Sequence, residues 1–530
     1  MIFLACPASK IIKSALIFNL SFCALVFCSN QEGSYCADER RRQIILSALD
    51  GMDSGIKQES QEPYKEISRS LRIKESVVAQ EKQEENEVPL VKEEPSKPFK
   101  FKSRAELLNR FYVDTTENNP YEYTRSNHSK LSVEAKLASD KRDFEVCASA
   151  LVWYDRMVNS ETDEDVGVEL NEAYAAFMPG PWDIRIGRQT ITWGKLDEVT
   201  IFDMVNPQDL TEGILLDKND RKQAVLMAKI GYFWPDVSLE GFVIPWSRHS
   251  RFHYFRSDWG LFRHLKKGVQ EGNYTQSVKD MVTDINIEDF DLKRTPRNAE
   301  GGVRLSGRTQ SLDYSLYYMY LRDRLPALQE NTETGKTVKA FLFNPTADTL
   351  AALAAAGPGS LDLKLIAEYA RMHKLGFDLE TTMGEFGVRA EAAASSAPLY
   401  IMDDFSLTQK DTVDVGIGVD HTTANNFYWN LQFVEKIILS YHDLYKTDQF
   451  GHQLIGIFSK DFWRGKLTPS LYCGYNISYG DNFVNPEITY KPNGNLSLSL
   501  GGFIFNGEAA TTMGRFDTND CLYLATEYKF

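Results

Sequence analysis

Apolar and polar residues alternate with a period of two over most of the chain beyond residue 104. In Leu496-Ser497-Leu498-Ser499-Leu500 the leucines share one parity and the serines the other. Val413, Val415, Ile417 and Val419 alternate with Asp414, Gly416, Gly418 and Asp420. Phe427, Trp429, Leu431 and Phe433 alternate with Tyr428, Asn430 and Gln432. At the end of the sequence, Leu522, Leu524, Thr526, Tyr528 and Phe530 oppose Tyr523, Ala525, Glu527 and Lys529. Side chains on a strand point to opposite faces in turn, so the pattern predicts strands with one apolar and one polar or small face. Strands are predicted at 104–115, 128–138, 142–154, 168–178, 182–193, 221–232, 235–246, 298–307 and 310–321. Others follow at 361–380, 384–394, 411–422, 426–437, 450–460, 465–477, 483–490, 494–505 and 520–530. Most reach or exceed the ~9–11 residues that a tilted strand needs to cross a bilayer.

The connections fall into two classes. Turns at 139–141, 180–181, 234–235, 307–309, 382–384, 423–425, 461–464 and 491–493 are short, and most carry Gly, Pro, Asn or Asp. Between them lie the long stretches 116–127, 155–167, 194–220, 247–297, 322–360, 395–410, 438–449 and 506–519. Only the connection after the fifteenth strand breaks the rule. Short turns alternating with long loops predict an all-β fold, a transmembrane antiparallel up-and-down β-barrel of about 16–18 strands. An even count places both ends on the short-turn, periplasmic side. Trp153, Trp182, Trp193, Trp234, Trp246 and Trp463 fall near strand ends and are predicted to form interfacial girdles.

The N-terminal part differs. Lys10 and Lys13 precede an apolar run from Ala15 to Cys28, broken by Asn19 and Ser21. This predicts a secretory signal over residues 1–37, too short for a transmembrane helix of about 20 residues. Its cleavage site is open: Tyr35 spoils a small-x-small site before Ala37, and Phe27 spoils a lipoprotein box. Residues 38–103 are rich in charge, as in Gln80-Glu81-Lys82-Gln83-Glu84-Glu85-Asn86-Glu87, and carry Pro89, Pro95 and Pro98. They are predicted to form a flexible or partly helical periplasmic extension, because such composition buries too little apolar surface to offset ordering. The barrel then occupies 104–530.

Mean hydropathy is −0.36, a soluble-looking value that a barrel shares, since only alternate residues meet lipid. A net charge of −15 argues against nucleic-acid binding. The seven cysteines match no zinc or redox spacing.

Candidate chemistry lies on the inner face. In Trp182-Asp183-Ile184-Arg185-Ile186 the even positions are apolar, so Arg185 faces inward. Ile191 and Trp193 carry the other parity, which predicts a bulge near Gly187 and an inward Arg188. Arg304, Arg389 and Glu391 also face inward. Two readings stay open for these residues. They either pair across strands to fill a wet interior, or set arginines against carboxylates at a constriction. After the seventh strand, Arg248, Arg251, Arg256, Lys266 and Lys267 interleave with Phe252, Tyr254 and Phe255 in a mouth loop. That loop either folds over the mouth, its cations meeting lipopolysaccharide, or holds a polyanion. A short helix is predicted over 349–356. No His-Glu-x-x-His, Gly-x-Ser-x-Gly or paired strand histidines occur. No catalytic residue, metal ligand or cofactor is therefore predicted, and the protein is not expected to be an enzyme.

Two resemblances extend this reading. The final strand, with Tyr528 and Phe530, resembles the closing strand of bacterial outer-membrane barrels, which implies a signal for the barrel-assembly machinery. Arg185 to Lys195, running on to Asp203-Met204-Val205-Asn206-Pro207-Gln208-Asp209-Leu210, is similar to a porin-like outer-membrane family known largely as a domain of unknown function. There a Gly-Arg-Gln strand leads into a Trp-Gly turn and an Asn-Pro-x-Asp loop. Segments 238–245 and 376–379, with 389–392, resemble it too. A weaker similarity runs to alginate-export barrels. The resemblance spans 104–530 and implies a bacterial outer-membrane channel for small solutes, with no substrate named. The alternatives are a receptor or envelope tether gripping a periplasmic partner through 38–103, and more remotely a lipid hydrolase. Outer-membrane lipid and lipopolysaccharide are expected neighbours, nucleic acid is not, and a homo-oligomer stays open.

Overall fold

The computed structural model describes residues 99–530 apart from 116–124, 140, 142, 159–161, 291–293, 356–362 and 509–510. The predicted signal (1–37) and the charged extension up to residue 98 lie outside the described residues.

Eighteen strands form one sheet. They are β1 (Phe99–Asp114), β2 (Arg125–Ser139), β3 (Phe144–Val158), β4 (Thr162–Phe177), β5 (Trp182–Gln189) and β6 (Val225–Phe233). Next come β7 (Val237–Ile244), β8 (Glu300–Arg308), β9 (Leu312–Arg322), β10 (Arg371–Met383), β11 (Phe386–Ser395) and β12 (Thr412–Thr422). The last are β13 (Phe427–Ile438), β14 (Phe450–Lys460), β15 (Leu467–Asn476), β16 (Asn482–Tyr490), β17 (Leu496–Asn506) and β18 (Cys521–Lys529). Each pairs antiparallel with its sequence neighbour. β18 pairs antiparallel with β1, with Leu107 opposite Tyr528, so the sheet closes and leaves no edge.

The outward parity is apolar all round. Leu107, Val168, Ile186, Val243, Leu316, Leu375, Ile417, Leu500, Leu522 and Leu524 are exposed on it. Tyr528 and Phe530 share that face, their rings edge-on at 4.6 Å. Trp182, Trp234 and Trp463 are exposed at the short-turn rim, and Trp246 is exposed beyond the end of β7. The girdle expectation fails for two tryptophans. Trp193 is 1 % exposed inside the barrel. Trp153 shares the inward parity of β3, with the Arg251 guanidinium 5.2 Å from its ring.

All eighteen predicted strands occur, with four differences. β1 already begins at Phe99. The connection predicted at 155–167 is short, because β3 runs to Val158 and pairs it with Thr162. The strand predicted at 361–380 is two. Lys364–Glu368 pairs with Ala327–Glu330 and with Asn286–Asp289 in a separate three-stranded sheet, and β10 starts only at Arg371. The strand predicted to reach residue 193 stops at Gln189. The expected bulge at Gly187 is absent from the β5 register. The register shift lies instead between β3 and β4, at Ala148/Ala150. The parity change at Ile191 arises because the chain leaves the wall.

The two longest connections, 245–299 and 323–370, fold on each other as a cap. The three-stranded sheet packs with α1 (Arg263–Glu271), α2 (Gln276–Asp284), α3 (Glu333–Phe343) and α4 (Ala347–Ala355), where the short helix was predicted. Phe262, Val269, Met281, Val338, Phe341, Leu353 and Leu365 make a core of its own. Lys339 of α3 is fully buried, and burial lowers its pKa against the opposing pull of Glu330, 2.9 Å away.

Candidate functional site

The connection 190–224 between β5 and β6, expected as an outer loop, folds into the barrel. Asn206 explains where it leaves the wall. Its side chain accepts the Ile191 N–H at 2.7 Å and donates to the Gln189 and Gln223 carbonyls at 3.2 and 2.9 Å. One buried amide thus replaces sheet partners at both ends of the segment. Gly187 just before has φ +138°, and a Cβ there would lie 2.2 Å from the Ala173 carbonyl oxygen, so only glycine fits.

The first half of the segment packs on one wall. Ile191, Trp193, Ile201, Phe202 and Val205 join inward Met227, Phe242, Ile244, Tyr317, Met319 and Leu321 in an apolar cluster. Phe202 stacks on Tyr317 at 4.1 Å. Burial of each large side chain stabilises by about 1.5–3 kcal/mol. Leu196 sits over Gly416 and Gly418 of β12, where a Cβ on Gly416 would come within 2.5 Å of it.

Polar anchors hold the same half. The Glu391 carboxylate, 1 % exposed, accepts N–H bonds from Lys195, Leu196 and Ile201 at 2.5, 2.8 and 2.7 Å. Gln432 Oε1 accepts from Glu198 and Val199, both at 3.2 Å. Arg389 binds Asp197 at 2.7 Å and Glu380 at 3.1 Å, and also meets Asp420. The second half crosses to the opposite wall. Arg110 donates to the Leu215 carbonyl at 2.5 Å, and Leu215 packs with Tyr112, Phe483, Phe505 and Tyr523. Lys222 and Asp203, both buried, pair at 2.7 Å and tie the two halves together.

The remaining predicted residues also have partners. Arg185 donates to Asp183 at 2.9 Å. Arg304 pairs with Glu240, which also takes Lys229 at 2.9 Å. Arg188 donates to the Asn171 carbonyl at 2.8 Å and pairs with Glu169, to which Arg248 and Arg251 each come at 2.8 Å. Arg256 grips Asp163 at 2.8 Å. Lys266 lies 4.5 Å over Phe255 and donates to the Ile285 carbonyl at 3.2 Å, while Lys267 is 4.0 Å from Glu271.

A cavity of about 190 Å³ remains between the inner faces of β1–β4 and residues 219–222 of the segment. Arg104, Lys130 and Lys222 line it together with Glu106, Glu134 and Asp220. These six were not singled out from the sequence. The signal was present in the parity: Leu107, Phe111 and Val113 face out, which leaves Arg104, Glu106 and Arg110 facing in. Three cations and three carboxylates leave the lining of this cavity with no net formal charge.

A family model described as a protein of unknown function (DUF1302) matches residues 62–427. The match begins inside the charged segment, where no resemblance was expected, and stops at the first residue of β13. No curated protein matches the chain. Among solved structures, Pseudomonas aeruginosa OccK5 (OpdH) is 10% identical with a TM-score of 0.44, over 81% of this chain and 98% of that one. Acinetobacter baumannii OccAB4 is 12% identical with a TM-score of 0.44, over 82% and 99%. Salmonella typhi OmpF, in a complex with daunomycin, is 8% identical with a TM-score of 0.39, over 82% and 98%.

Proposed function

The chain belongs to the DUF1302 family, and from that premise we propose that it is a porin-like channel of the bacterial outer membrane for small hydrophilic solutes. The carrying observation is the charged cavity between the inward segment and β1–β4. A closed barrel with an apolar outer belt suits a bilayer, since every strand edge is paired and only one face needs to meet lipid. Inside, the segment narrows a lumen that eighteen strands would otherwise leave wide.

The balanced charges of the passage favour dipolar or zwitterionic solutes over either ion sign. Such solutes align in the field between Arg104 or Lys130 and the carboxylates facing them. Here no side chain performs chemistry. The wall residues replace part of the solute's hydration shell, and the segment sets the width. Purified full-length protein in a planar bilayer should give stepwise conductance with weak ion selectivity. Lys130→Gln should shift the reversal potential toward cations. A barrel that inserts and passes neither ions nor small solutes would overturn the proposal.

A further inference from the structure

We propose that His128, Asp155 and Glu212 form a binding site for one divalent transition-metal ion that pins the inward segment to the barrel wall. His128 of β2 and Asp155 of β3 are direct partners in the ladder. Glu212 is brought to them by the inward segment. His128 Nδ1 lies 2.5 Å from Glu212 Oε1 and also within hydrogen-bond reach of Asp155 Oδ1. One imidazole nitrogen carries at most one proton, so it cannot serve two carboxylates in line. The potential ligand atoms of the three residues lie within 4.8 Å of one another.

A second observation points the same way. His128 is 7 % exposed and turns Nδ1 to both carboxylates, while the buried Glu212 Oε2 has no hydrogen-bond partner. A buried carboxylate oxygen without a donor is costly unless a cation meets it. Two carboxylates and a neutral imidazole carry two negative charges, which one divalent ion matches. Arg110 and Tyr112 of β1, His253 of the cap and Asp165 of β4 are the other charged or titratable groups facing the cluster. Imidazole with two carboxylates suits Zn²⁺ rather than Ca²⁺ or Mg²⁺, which prefer oxygen alone.

The test uses full-length protein in detergent, stripped by a chelator and titrated with Zn²⁺ in a calorimeter. One ion should bind per barrel. Glu212→Gln and Asp155→Asn, which preserve side-chain size, should each weaken binding more than about tenfold, a loss at least as large as an outer-shell change brings. Cys147→Ala should leave affinity unchanged, since it disables only the other candidate group, Glu134, Cys147 and Glu172. Heat-modifiable gel migration reports that each variant is folded. Absence of stoichiometric binding in the unaltered protein, or binding that survives Glu212→Gln, would overturn the site and leave His128 as a protonated bridge between two carboxylates. Neither result depends on whether the barrel conducts.

Discussion

The inward segment 190–224 and the cap of 245–299 and 323–370 are both long insertions between neighbouring strands, held by opposite means. The cap builds a core of its own, while Arg248, Arg251 and Arg256 at its start pair with Glu169 and Asp163 of the wall. Its sheet and helices bury Leu353, Leu365 and Val338 at 0 % exposure, and its stability comes from its own apolar packing. The segment has no regular structure beyond a one-turn helix at Lys218–Arg221. Its backbone amides are met by carboxylate and amide side chains of the wall, above all Glu391 and Gln432. An insertion that supplies its own core can sit outside a barrel. One that borrows its partners from inward-facing wall residues must stay inside.

Substitutions can break that contrast from either side. Leu365→Ala should cost the cap about 2–5 kcal/mol through the cavity it leaves. Protease cleavage within 245–370 should accelerate, while the barrel keeps its heat-modifiable migration and its conductance. A change in conductance would mean that the cap and the segment are one cooperative unit. Glu391→Ala comes next. It strands the buried Leu196 and Ile201 amides, each at about 1–3 kcal/mol. The segment should loosen, with noisier and larger current steps and an unaltered cap.

The smallest effect concerns Asp520, just before β18. Burial pushes its carboxyl up to about 6, against an unfolded value of about 3.9. Between these values the folded state binds more protons, so stability falls as pH rises from about 4 through 6. Asp520 accepts the Phe505 N–H at 2.8 Å. Exchange of that amide should quicken across this window in the unaltered protein. In Asp520→Asn the pH step should vanish.

How much of this was legible follows from what each feature depends on. Strand positions did, because face alternation is local: Val413 to Asp420 states its own orientation. The cap's sheet did not, since Lys364–Glu368 and Arg371–Met383 read as one apolar run until their partners are known. The inward course of 190–224 was hidden for the same reason. Asn206 and Glu391 look like ordinary polar residues, and only tertiary pairing shows that one ends β5 and the other holds the segment. Arg389 and Glu391 were legible as inward, but their engagement with Asp197 and with backbone amides was not. The cavity is lined instead by Arg104 and Lys130, whose parity was readable, and by Lys222 of the segment's return limb, whose place was not.

The central claim is that solute passes between the segment and β1–β4 rather than along the segment's packed side. Cysteine access tests it most directly. In a background with Cys147, Cys473 and Cys521 replaced, Ser132→Cys and Gln432→Cys would each be exposed to a charged thiol reagent during single-channel recording. Modification of Ser132→Cys should block or sharply reduce current, while Gln432→Cys, buried beneath the segment, should stay inert. Rapid block at residue 432 with none at 132 would contradict the account.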